Sequence, residues 1–168
     1  MSHVKPEWVL FDWGDTLMVD LPEYSGPMAT WPRVEMVANA RDTLECLRVR
    51  GWQLALATNA DDSQETDIRA ALARVGLNEF IDRVYCSRTV GHKKPSLEFF
   101  EHIERDLGRS AADVVMVGDN YGVDIVGANA AGIRAVWLCR ASCSVPAGVM
   151  HRVIADLSEL PDLLAAWT

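Results

Sequence analysis

The sequence has no apolar run near the ~20 residues that span a bilayer, no paired cysteine spacing and no excess of basic residues. Each absence removes a class of function. Sixteen lysines and arginines face 24 aspartates and glutamates, for a net charge of −8 and a pI of about 4.9. No global field therefore draws the chain to polyanions, and neither a membrane nor sequence-specific nucleic-acid binding is expected. In the N-terminal stretch MSHVKPEWVLFDWGD, Asp12 interrupts the one candidate for a secretory apolar segment, so a cytoplasmic location is expected. Cys139 and Cys143 lie four apart without the second Cys or His pair that a zinc site needs. With Cys46 and Cys86 they read as reduced thiols.

What is present is an alternation of apolar runs and amphipathic stretches. Short runs at Trp8–Phe11, Trp52–Ala57, Arg83–Cys86, Val114–Val117 and Arg134–Leu138 read as buried strands, and a last strand and helix are expected within Arg152–Trp167. Helical spacing is expected from Pro32 to Leu47, around Ile68–Leu77, from Pro95 through Ile103 and over Ile125–Ala131. Ser87–Lys94 reads as a loop, and Met18–Trp31, with prolines at 22 and 27, as an irregular excursion. Near-continuous apolar strands alternating with helices predict an α/β fold whose parallel sheet is covered on both faces. With no repeat or linker in view, one domain over residues 1–168 is expected, its 18–31 segment forming a flap.

In such a sheet, ligands bind beyond the carboxyl ends of the strands. The polar residues closing these strands are Asp12, Thr58-Asn59 and Gly118-Asp119, with Asp124 following. Unpaired carboxylates at buried strand ends cost several kcal/mol each. A divalent cation together with a phosphate offsets that cost, and an all-oxygen ligand set suits magnesium.

Four segments in order, FDWGDTL (Phe11–Leu17), LATN (Leu56–Asn59), KKP (Lys93–Pro95) and VGDNYGVD (Val117–Asp124), make the chain resemble the haloacid dehalogenase superfamily. The resemblance implies a three-layer, Rossmann-like sheet in the order 5-4-1-2-3. It also implies an Mg²⁺-dependent phosphomonoesterase in which Asp12 is the nucleophile and carries an aspartyl-phosphate. Thr58 and the Asn59 backbone would hold the phosphoryl oxygens and Lys94 would neutralise the charge. Asp12, the Gly14 carbonyl, Asp119 and Asp124 would bind the metal. Each residue also has a plainer reading: Asp12 as a strand-end cap, Thr58 and Asn59 as caps of the next helix, Lys94 as a solvated lysine, Asp119 as a turn residue and Asp124 as a helix N-terminal acid.

Two departures from the family pattern matter. The proton-transferring acid expected two residues after the nucleophile is replaced by Gly14, and Asp15 follows it. Asp15 either substitutes as the acid or occupies a tight-turn position at positive φ; the turn is the favoured reading. About forty residues separate Leu17 from Thr58 and about thirty-five separate Asn59 from Lys94, too few for a cap domain beside the helices placed there. An open crevice follows, with Trp13, Tyr24 and Trp31 either packing or touching substrate. Arg88, His92 and Lys93 read as a solvated face, with contact to a substrate phosphate as the alternative. The expected partner is a small phosphorylated molecule or the phosphorylated end of a macromolecule. Capless members can use a neighbouring subunit as a lid, so an oligomer is compatible. The competing functions are a non-catalytic phosphate-binding scaffold, motivated by Gly14, and carbon–halogen hydrolysis. The second is disfavoured because the dehalogenases carry a cap and an aromatic residue at the Gly14 position.

Overall fold

The structure is a computed structural model that describes residues 7–144 and 148–167. The first six residues, part of the N-terminal stretch considered above, lie outside the described residues. Six parallel strands form one sheet: β1 (Trp8–Phe11), β2 (Gln53–Thr58), β3 (Arg83–Cys86), β4 (Val114–Gly118), β5 (Arg134–Leu138) and β6 (His151–Ile154). Their order is β3-β2-β1-β4-β5-β6, which is the expected five-strand order with β6 added beyond β5. No cap domain is present among the described residues, and none of their helices is long and apolar enough to cross a membrane.

The inner strands β1, β2 and β4 are almost wholly apolar because both faces are covered, whereas β3, β5 and β6 open on Arg83, Arg134 and His151. In β1, Val9 and Phe11 join one core with Leu54, Leu56, Val115 and Val117, whereas Trp8 and Leu10 join the other with Ala55, Ala57, Val114 and Met116. This is the period-two alternation of a strand, with apolar residues at both phases. The first face is covered by α1 (Ala40–Val49), α2 (Glu65–Arg74) and, towards the end of the chain, α6 (Leu160–Ala166). The short α3 (Ser87–Val90) follows β3. The second face is covered by α4 (Leu97–Leu107), through Phe99, Phe100 and Ile103, and by α5 (Gly127–Ala130), through Ala128. The Ser96 hydroxyl caps α4 by accepting from the Phe99 N–H at 3.4 Å.

Four local expectations are corrected. The first helix begins at Ala40, not near Pro32. The Val37 N–H donates to the Leu17 carbonyl and the Val19 N–H to the Glu35 carbonyl, both at 2.9 Å, and Met18 bridges Met36. A backbone paired sideways in this way cannot enter a helical ladder, and Asn39 then turns at φ 61°. The Ser87–Lys94 loop contains the helical turn α3, closed by Gly91 at φ 82°. The helix expected over Ile125–Ala131 is a wide π-type turn (Tyr121–Val126) running into α5. Finally, Cys139 and Cys143, expected without a partner, lie with their sulfurs in contact and their Cα atoms 6.6 Å apart; Cys46 and Cys86 are free.

Candidate active site

Parallel register brings the strand ends together. Phe11 lies opposite Leu56 on one side and Val117 on the other, so the residues that follow leave the sheet at one edge. The Asp12 N–H donates to the Val117 carbonyl at 2.9 Å, anchoring the turn that carries the carboxylate. Asp12, Asp119 and Asp124 each present one oxygen, and these three atoms lie within 4.8 Å of one another.

One cation serves two of the three acids. The Lys94 ammonium donates to Asp12 Oδ1 at 2.9 Å and to Asp124 Oδ1 at 2.7 Å. Lys94 is 2 % exposed and Asp124 1 %. Burial pulls the Lys94 pKa down, yet the attraction of Asp12 and Asp124 outweighs it and holds the ammonium above lysine's ordinary value. Burial and then the negative charge of Asp12 push Asp124 up against the pull of Lys94. Among the described residues Asp119 has no cationic partner: desolvation, then Asp12, then Asp124 push it up to about 7. The cluster is short of positive charge.

Several residues position this arrangement, and the sequence reading passed over most of them. The Asn59 side chain clamps the Lys94 backbone, donating to its carbonyl and accepting from its N–H, both at 2.8 Å. Thr16, fully buried, donates towards Asp119 at 3.2 Å and lies 3.4 Å from Asp12. Trp137 of β5 donates its indole N–H to the Asp119 carbonyl at 2.9 Å. The Asn120 N–H donates to Asp124 Oδ2 at 3.1 Å. Gly118 is required by Asp124, since a Cβ there would sit 2.1 Å from Oδ2. Gly127 is likewise required by close packing on Pro95, which would lie 2.7 Å from its Cβ. The Thr16 and Gly118 signals were visible within FDWGDTL and VGDNYGVD; Trp137 and Gly127 had none.

Asp15 does not join the cluster. It sits at φ 57°, and its carboxylate accepts from the Asp20 N–H at 3.0 Å. Its carbonyl takes a hydrogen bond from Arg140 at 2.7 Å. Arg88, His92 and Lys93 are exposed. Beside the turn that follows Asp12 lies a cavity of about 380 Å³, bounded by Gly14 and Thr58 and, from the 18–31 segment, by Asp20, Gly26, Met28 and Trp31. Trp13 also lines it, whereas Tyr24 instead packs at a tilt against Trp31 with ring centroids 5.6 Å apart. Burial, then the charges of Asp15, Asp12 and Asp62, raise the Asp20 pKa.

Comparison with known proteins agrees with this fold. The family model described as haloacid dehalogenase-like hydrolase matches residues 14–132. The chain is 36 % identical to the ribulose-1,5-bisphosphate 5-phosphatase of Halopiger xanaduensis over 61 % of its own length and 42 % of the relative. It is 30 % identical to the glyceraldehyde 3-phosphate phosphatase of Methanothermobacter thermautotrophicus over 75 % of its length and 57 % of that protein. It therefore spans about half of these curated relatives. Among solved structures, an uncharacterized protein from Listeria monocytogenes serotype 4b superposes with a TM-score of 0.84 at 28 % identity, covering 95 % of this chain and 97 % of that one.

Proposed function

The chain belongs to the haloacid dehalogenase-like hydrolases, and from that premise we propose that it is an Mg²⁺-dependent phosphomonoesterase working through Asp12. The observation that carries the reading is the buried Lys94 held between Asp12 and Asp124, with Asp119 left short of positive charge.

The donor set fits Mg²⁺: it is all oxygen, and its excess of carboxylate charge is what a divalent cation would relieve. Asp12, Asp119, Asp124 and the Gly14 carbonyl would hold the ion, which, when bound, offsets repulsion between a carboxylate and a phosphate dianion. In the first step an Asp12 carboxylate oxygen attacks phosphorus as the P–O bond to the alcohol breaks, and the departing oxygen takes a proton from solvent. In the second, water attacks the same phosphorus and gives up a proton to solvent as the bond from Asp12 to phosphorus breaks, so that inorganic phosphate leaves and the carboxylate is regenerated. Lys94 orients Asp12 and stabilises the negative charge of the transferring group. The Thr58 hydroxyl and the Asn59 backbone supply donors to the phosphoryl oxygens, while the Asn59 side chain keeps Lys94 in register.

With Gly14 lacking a carboxyl group and Asp15 engaged at the turn, protonation of the leaving alcohol is the weak link, and aryl and acyl phosphates should outpace alkyl ones. The whole chain acts as one domain, and its 18–31 segment forms the flap over the crevice. A cavity of about 380 Å³ suits a small phosphorylated substrate better than a macromolecular end. The test is turnover of 4-nitrophenyl phosphate with Mg²⁺, with chelator, and in Asp12→Asn, whose amide keeps the shape but is a poor nucleophile. Turnover is expected only in wild type with Mg²⁺. Retained activity in a folded Asp12→Asn, or full activity in chelator, would refute the mechanism.

A further inference from the structure

We propose that the cavity beside Asp12 selects phosphate esters whose leaving alcohol carries an ammonium group, and that it disfavours esters bearing a second anion. This inference rests on the phosphatase reading and adds the charge class of the substrate.

The lining supplies the argument. Asp20, Asp61 and Asp62 contribute three carboxylates, and among the described residues no lysine, arginine or histidine lines the cavity. Two indoles, Trp13 and Trp31, stand among these acids. Carboxylates interleaved with tryptophans are the surroundings that hold alkylammonium groups, through charge attraction and the negative face of the ring. A second phosphate or a carboxylate would instead meet three like charges. Trp31 has its N–H committed to the carbonyls of Ser25 and Gly26, at 3.2 and 3.1 Å, which fixes the ring in place.

An independent observation also points to a ligand. Trp13 is 5 % exposed, and its buried indole N–H has no acceptor among the described residues. A buried donor left unpaired is costly, and an acceptor oxygen on a bound molecule removes the cost. Trp13 directly follows the nucleophile in the chain, where a phosphate ester carries several such oxygens. The ligand this site describes has oxygen acceptors at the Asp12 end and positive charge at the far end.

The test uses three ligands on one two-carbon skeleton: phosphoethanolamine, 2-hydroxyethyl phosphate and phosphoglycolate, with terminal ammonium, hydroxyl and carboxylate. Each competes against 4-nitrophenyl phosphate with Mg²⁺ present. Phosphoethanolamine should compete at least about tenfold better than phosphoglycolate, with the hydroxyl compound between them. In the double variant Asp20→Asn/Asp62→Asn the gap should close to within about threefold, and in wild type 0.5 M NaCl should narrow it, because exposed charges are screened. Equal competition, tighter phosphoglycolate, or a gap unmoved by salt overturns the proposal; the salt arm decides it even if the variant does not fold. If 4-nitrophenyl phosphate is not hydrolysed at all, the phosphatase reading falls separately. Calorimetric titration of the same three ligands into Mg²⁺-loaded protein then still decides the charge preference.

Discussion

Replacing Lys94 with methionine removes the ammonium that Asp12 and Asp124 share while nearly preserving volume. At 2.9 and 2.7 Å from two carboxylates, each charge pair is worth about 6 kcal/mol at an effective dielectric constant of ~20. Desolvating three ions takes most of that back, at several kcal/mol per ion. The removal itself is not so compensated, because Asp124, 1 % exposed, is left as a buried charge without its partner. Breaking such a pair costs about 3–5 kcal/mol, a large share of the ~5–15 kcal/mol that holds a domain of this size together. Urea unfolding at pH 7 in chelator, with circular dichroism to verify the starting fold, is the assay. Lys94→Met should lose about 3–5 kcal/mol, and adding Asp124→Asn should restore a substantial part by neutralising the stranded charge. A loss below about 1 kcal/mol, the level of an exposed pair, would refute the reasoning. So would a loss that Asp124→Asn does not relieve.

Three further outcomes follow from the same geometry. In metal-free protein, folded Asp119 titrates at about 7 but an unfolded aspartate near ~3.9, so between these values the folded state keeps a proton that the unfolded state has released. This contribution makes stability fall as pH rises through the window. Melting temperatures in chelator should show that slope in wild type and a shallower one in Asp119→Asn; identical slopes would contradict it. Gly118→Ala should displace Asp124, since its Cβ would lie 2.1 Å from Oδ2. A loss of about 1–3 kcal/mol with weakened Mg²⁺ binding by calorimetry is expected, and unchanged binding would refute the close approach. Gly14→Asp with Asp15→Gly should raise turnover of alkyl phosphates by up to ~10²-fold. Because a Cβ at position 14 would face Asp20 at 3.7 Å, the gain should be larger with Asp20→Asn added, and equal rates in both backgrounds would argue against that contact.

The fold was legible because the inner strands are apolar at both phases of their alternation, which only a sheet covered on two faces tolerates, and because the polar breaks fall at the strand ends. Asp12, Thr58, Asp119 and Asp124 could be picked out as residues that need an explanation at buried ends. The start of α1 was not legible. Helical spacing after Pro32 is a local signal, and the pairing of residues 35–37 with 17–19 that overrides it is made between segments distant in the chain.

The sequence by itself determined the order of the elements, the surplus of acid and the absence of a carboxyl group at Gly14, since all three are properties of composition and spacing. Tertiary structure alone decided that Lys94 bridges Asp12 and Asp124, that Asn59 clamps Lys94 by its backbone, and that Trp137 holds Asp119. It also decided that Asp20, Asp61 and Asp62 share one cavity with two tryptophans. The physical reason is that hydrogen bonds and charge pairs act over a few ångströms, whereas these partners stand 18 to 82 residues apart in the chain, so only the closed sheet brings them within reach.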